Sequence, residues 1–174
     1  ATALVAALDA DRGRIIAVTW VPGDTRRVRE RGVDLPRDVA RRVARELGVP
    51  CVQLLVRVRG SRAQRGLHRF ERADNARASF DVHPAAARRC AGIATARYGR
   101  GAPGSGLMLL VDDVCTTGAT LRVCATLAGM IVRRRFHDVR IRPYALSAVP
   151  PPESNGGGVS NSRSLRGNHI HVEA

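Results

Sequence analysis

Residues 111–120, VDDVCTTGAT, join two patterns that together constrain the fold more than any other stretch of the chain. Ahead of them the apolar run LMLLV, residues 107–111, has the length and composition of a short buried strand. Behind them Leu121, Cys124, Leu127 and Ala128 recur at helical spacing. The chain is therefore expected to pass from strand to helix through an acidic turn, Asp112 and Asp113, and a loop of small residues, Thr116, Thr117, Gly118, Ala119 and Thr120. Backbone N–H groups in the first turn of a helix have no intrahelical partner and sit at the positive end of the helix dipole, so such a loop can take a phosphate. Gly118 permits close approach, and the threonine hydroxyls add donors. The two acids can accept from sugar hydroxyls, at about 1.5–3 kcal/mol for each charged hydrogen bond.

Each part has a plainer reading. Adjacent aspartates often form a solvated turn, and Thr-Gly before a helix is often a simple cap. A Walker-type loop needs Gly-Lys-Ser/Thr, and the chain contains no lysine. The combination within one strand-to-helix passage favours a phosphorylated sugar.

Elsewhere strands and helices alternate. A short helical remnant is expected over residues 4–8 and a strand over 15–20. A helix is expected over 35–47, with Val39, Val43 and Leu47 at spacing four and Gly48-Val49-Pro50 as its stop. A second strand is expected over 52–58. Residues 60–75 are basic and poor in apolar side chains, which suits a mobile flap. A helix over 84–98, a flexible connector over 99–106 and a final strand over 139–149 complete the pattern. Such alternation predicts an α/β fold with a parallel sheet covered on both faces and ligands at the carboxyl end of its strands. From Pro150 onward, Pro-Pro-Pro, Gly-Gly-Gly and Ser/Asn-rich sequence predicts a disordered tail, in which residues 169–172 could dock as a strand. The expected organisation is one domain over residues 1–149 and a tail over 150–174.

Upstream of the acidic turn, Arg57, Arg59, Gln64, Leu67, Glu71-Arg72, Asn75 and Phe80 follow in order, preceded by RRVRERG, residues 26–32, after Val21-Pro22. With VDDVCTTGAT, this series resembles the ComF-type (competence protein F) family of the type I phosphoribosyltransferase superfamily, over roughly residues 15–127. The resemblance implies a type I phosphoribosyltransferase-like core that binds phosphoribosyl pyrophosphate (PRPP) with Mg2+ and transfers phosphoribose to an acceptor it does not identify. It implies that Asp112 and Asp113 hold the ribose hydroxyls and meet the metal indirectly, through the substrate. Thr116, Thr117, Gly118, Ala119 and Thr120 would hold the 5-phosphate. Val21, Pro22, Arg57, Arg59, Gln64 and Arg72 would serve the pyrophosphate end and its flap. The chain departs from the family at two places. It has Thr19-Trp20-Val21-Pro22 where Val-Pro-Val-Pro is usual, and Gly32-Val33-Asp34-Leu35 where Gly-Phe-Asn-Gln is usual. The six-oxopurine branch of the superfamily has an aspartate general base where this chain has Thr116, which argues against a hypoxanthine or guanine acceptor. Many family members carry an amino-terminal four-cysteine zinc module; this chain shows no Cys-x-x-Cys pair, as expected of a trimmed or divergent member.

Composition sets bounds on partners. A chain of 174 residues suits one domain that buries about two-thirds of its unfolded surface. No apolar stretch reaches membrane-spanning length and no secretory signal is evident, so a cytoplasmic protein is expected. Cys51, Cys90, Cys115 and Cys124 are far apart and read as buried reduced thiols. The net charge of +14 invites nucleic acid, and every basic residue is arginine, the side chain best matched to phosphate. Two arginine groups, around residues 26–31 and 57–72, are each expected to crowd a loop, and both loops fall where the superfamily contacts pyrophosphate. A third, Arg133, Arg134, Arg135, Arg140 and Arg142, reads first as a solvated helix end and second as a nucleic-acid contact. Aromatic residues are only 3% of the chain, which disfavours a base-stacking platform. Three functions stay open: a phosphoribosyltransferase, a PRPP- or nucleotide-binding regulator without transfer, and a DNA-uptake accessory protein that binds single-stranded DNA. The partners to consider are a ribose 5-phosphate ligand, single-stranded DNA, competence-machinery proteins and a second copy of the chain as a homodimer.

Overall fold

The computed structural model describes residues 8–58, 77–98, 105–136 and 138–148. The expected flap at 60–75, the connector at 99–104 and the tail, with its candidate strand at 169–172, lie outside the described residues. So do Arg59, Gln64 and Arg72.

The architecture is α/β. A parallel sheet runs β1 (Ile15–Trp20), β4 (Ser105–Cys115), β5 (Asp138–Ala148), with β4 in the middle. Cys51 extends it by a single parallel bridge to Val18 on the other side of β1. Because β4 is paired on both edges and covered on both faces, its middle has to be apolar, and residues 106–111 are all buried, followed by the buried Asp112. Alternate side chains go to opposite faces. Met108 and Leu110 join one core with Ile16, Leu54, Leu55 and Phe80. Leu107, Leu109 and Val111 join the other with Ile15, Val18 and Trp20. Each fully buried Leu, Ile or Val contributes roughly 1.5–3 kcal/mol.

Helices close both faces. α1 (Thr25–Arg31) and α2 (Leu35–Leu47) follow β1. α2 turns Ala40, Val43 and Ala44 inward and stops at Gly48, whose φ of 69° is left-handed. α3 (Ala86–Tyr98) buries Ala86, Cys90 and Ile93 on the opposite face. There it meets α4 (Ala119–Val132), which buries Leu121, Cys124, Ala125, Ala128, Ile131 and Val132.

Several expectations need correction. The strand expected over residues 52–58 is only β2 (Leu55–Arg57), and it pairs antiparallel with β3 (Phe80–Val82), a strand the sequence reading did not contain. The basic loop expected over 26–32 is largely α1. Asp24 caps it by accepting from the Arg26 and Arg27 backbone N–H groups at 3.0 and 3.2 Å, and Gly32 ends it with φ 72°. Of the helical remnant at 4–8 only Leu8 is described, and a 3-10 turn follows over Asp9–Arg14. The end of the expected connector, Ser105-Gly106, is already strand. The acidic turn is not a turn. β4 runs through Asp112 and Asp113 to Cys115 because β5 continues alongside, pairing Asp112 with Ala145 and Cys115 with Ala148.

Candidate functional site

The carboxyl ends of β1 and β4 lie side by side, with Trp20 opposite Val111 and the Val21 N–H donating to the Val111 carbonyl at 2.9 Å. This register brings Val21 and Pro22, both buried, beside the acid pair. Asp112 is only 6% exposed, whereas Asp113 is half-buried. The Asp113 N–H donates to Asp112 Oδ1 at 2.9 Å, and the Val114 N–H donates to Asp113 Oδ1 at 2.9 Å. Burial, reinforced by the charge of Asp113, pushes the Asp112 carboxyl up to about 7, while Arg57 pulls the other way. A carboxyl held in this state gains from any ligand that donates hydrogen bonds to it.

Beyond Cys115 the chain turns through residues 116–118 into α4. Gly118 takes φ 73°, and no side chain caps α4 there. Its first-turn donors therefore face a small recess of about 30 Å³ lined by Asp112, Val114, Cys115, Thr116, Thr117, Gly118, Ala119, Thr120 and Leu121. The Ala119 N–H lies 3.4 Å from Thr117 Oγ1, a long contact that an anion can displace. The loop residues named from the sequence thus share one recess with Asp112, whereas Asp113, the next residue along β4, does not line it.

Arg57 reaches this edge from β2. Its guanidinium lies 3.8 Å from Asp24 and 5.0 Å from the Phe80 ring centre, and it is near enough to lower the Asp112 carboxyl. A wider cavity of about 350 Å³ opens beside it, between Trp20, Pro22, Gly23, Asp34, Arg37 and Arg57, among others. Sequence reasoning missed Asp34 as a site residue. Its Oδ1 is buried with no hydrogen-bond partner, and a Cβ on Gly23 would sit 3.0 Å from it. Burial raises the Asp34 carboxyl, partly offset by Arg37. Sequence reasoning also missed Arg122, whose Nη2 donates to the Thr117 carbonyl at 3.0 Å. The signal was its place four residues after Gly118, one turn into the helix.

The donor set suits magnesium in a particular way. Asp112 and Asp113 offer hard carboxylate oxygens, and among the described residues no group of three or more His, Cys, Asp or Glu could hold a metal ion alone. One or two carboxylates completed by other oxygen ligands is an arrangement that Mg2+ takes, and Asp112 and Asp113 would supply the carboxylates.

The third arginine group is divided. Arg133, Arg134 and Arg135 are exposed where the chain leaves α4, Arg140 lies 3.7 Å from Asp138, and Arg142 pairs with Asp11. The cysteines carry free thiols: Cys90, Cys115 and Cys124 are buried and Cys51 is half-buried. Among the described residues no helix is long and apolar enough to cross a membrane. No protein-family model matches the chain and no curated protein matches it significantly.

Proposed function

We propose that this protein binds a 5-phosphorylated ribose, with PRPP and magnesium as the full ligand, and belongs to the type I phosphoribosyltransferase-like class. The single observation that carries the reading is the shared recess, in which the buried Asp112, near the end of β4, meets the start of α4, whose N-cap Gly118 has no side chain to cap it. In this reading the residues 116–120 accept the 5-phosphate on backbone N–H groups and threonine hydroxyls. Asp112 and Asp113 accept from the ribose hydroxyls and orient the sugar. Magnesium, bound with PRPP beside these two acids, supplies charge stabilisation to the departing pyrophosphate. Arg57 stands where it can add positive charge on that side. Arg59, Gln64 and Arg72 are assigned to the same end by the resemblance alone. Calorimetric titration with PRPP and magnesium, followed by a pyrophosphate-release screen over bases and amines, tests binding and transfer separately.

A second reading, binding without transfer, is favoured by Asp34. A leaving polyanion needs a surplus of positive charge, yet in the cavity beside Arg57 the Asp34 carboxyl already faces Arg37, and Asp24 already partners Arg57, so two carboxyls offset the two arginines there. In that case PRPP or a nucleotide is a regulatory ligand. PRPP binding with no pyrophosphate released from any acceptor selects this second reading over the first.

A further inference from the structure

The outer face of α4 carries a groove that sugar-phosphate binding does not use. A cavity of about 480 Å³ lies between Arg77, Arg122, Val123, Thr126, Leu127 and Met130. Its size falls within the range of about 300–1,000 Å³ usual for small-ligand pockets. Val123, Leu127 and Met130 follow at spacings of four and three, so they form one apolar stripe along the flank of the helix, Val123 and Leu127 half-buried at the margin of the core and Met130 exposed. Met130 is 50% exposed, although the inward face of the same helix is fully packed. Both arginines at the rim are exposed, and among the described residues no carboxylate forms an ion pair with either. An apolar floor beside two uncompensated guanidinium groups complements one kind of small molecule.

Arg122 belongs to this groove and to the loop at once. Its Nη2 donates to the Thr117 carbonyl at 3.0 Å, and its Nη1 stands 2.9 Å from where a Cβ on Gly118 would be. We propose that the groove binds a small amphipathic anion, its carboxylate, sulfonate or phosphate held by Arg77 and Arg122 and its apolar body resting on Val123, Leu127 and Met130. The anion competes with the Thr117 carbonyl for the Arg122 guanidinium. Occupancy of the groove therefore loosens the loop at residues 116–118, and the groove along α4 and the recess at its start are coupled through one side chain. This coupling is independent of any phosphate bound at the loop.

The test is a fluorescence titration of the full chain with 1-anilinonaphthalene-8-sulfonate, an amphipathic anion, beside amide nitrogen–proton NMR spectra. The wild type is expected to take up the probe at one saturable site. Affinity is expected to fall at least about tenfold in the Arg77→Gln/Arg122→Gln double variant, which loses two charged contacts. A Met130→Asp variant, placing an acid on the exposed apolar floor, is expected to lose affinity to a similar degree, with thermal melting confirming that both variants remain folded. Saturation is expected to shift the Gly118 amide resonance in the wild type but not in Arg122→Gln. Any of three results overturns the proposal: no saturable uptake by the wild type, as when a segment of the chain itself covers the groove; affinity that survives loss of both arginines; or an unmoved Gly118 resonance. Because the probe titration involves no ribose phosphate, its failure is distinguishable from failure of PRPP binding.

Discussion

Asp112 shows how a binding residue can weaken the fold that holds it. Its carboxyl is pushed up to about 7 by burial, with Asp113 adding to the effect, whereas the ordinary value is 3.8. A raised acid binds more protons folded than unfolded, so its contribution to stability falls as pH rises from the unfolded value to the folded one. Asp112→Asn removes this penalty. The variant is expected to melt higher than wild type above pH 7, with an advantage of about 1–3 kcal/mol. The gap is expected to narrow towards pH 4 and vanish below it. Melting curves across that range check this, and a variant less stable than wild type at pH 8 would falsify the assignment. Gly118 gives a second expectation. Its φ of 73° is costly for any residue with a Cβ, which would also meet Arg122 Nη1 at 2.9 Å. Gly118→Ala should lose about 1–2 kcal/mol. A neutral or stabilising change, measured by urea unfolding, would mean the loop has another conformation.

At the scale of elements, β4 carries both the core and the site. Its first residues are held closely to the 3-10 turn, since a Cβ on Gly106 would lie 2.6 Å from the Arg14 carbonyl oxygen. Gly106→Ala is therefore expected to cost about 1–3 kcal/mol by overpacking against backbone. Unfolding midpoints equal to wild type would show that the strand start can shift without penalty. The apolar run that made β4 legible covers only its middle. Its polar ends gave no signal, because the partner that holds Asp112 to Cys115 in the sheet is β5, about thirty residues downstream. α1 was missed for the opposite reason. Its signals were local and present: Asp24 as cap, the Arg26–Glu30 pair at 2.7 Å, and Gly32 as stop. The density of arginine made the segment read as a phosphate-binding loop. β2 and β3 are three residues each, too short for any alternation to register, and their pairing spans residues that no local pattern connects.

For the whole molecule, the alternating α/β pattern and the two-faced core were readable because β4 has a continuous apolar run and α2 a strong helical periodicity. The carboxyl edge of the sheet followed from that topology. Asp34 and the Arg122 strap were not readable, since each depends on a contact between separate elements. Charge acts at this scale too. With a net charge of +14 and aromatic residues at 3%, binding to single-stranded DNA should be electrostatic, weakening with salt at a slope of about −0.7 per phosphate neutralised and showing little base preference. Polarisation of a labelled oligonucleotide across a salt series checks this; no binding at low salt removes the DNA-uptake reading. The most direct test of the sugar-phosphate site is calorimetric titration of PRPP with magnesium into the wild type and into Asp112→Asn/Asp113→Asn. The wild type should bind, and the double variant should bind at least about tenfold more weakly while remaining folded, since losing two charged hydrogen bonds exceeds 1.4 kcal/mol. Equal affinity in the two proteins, or no binding by the wild type, would contradict it.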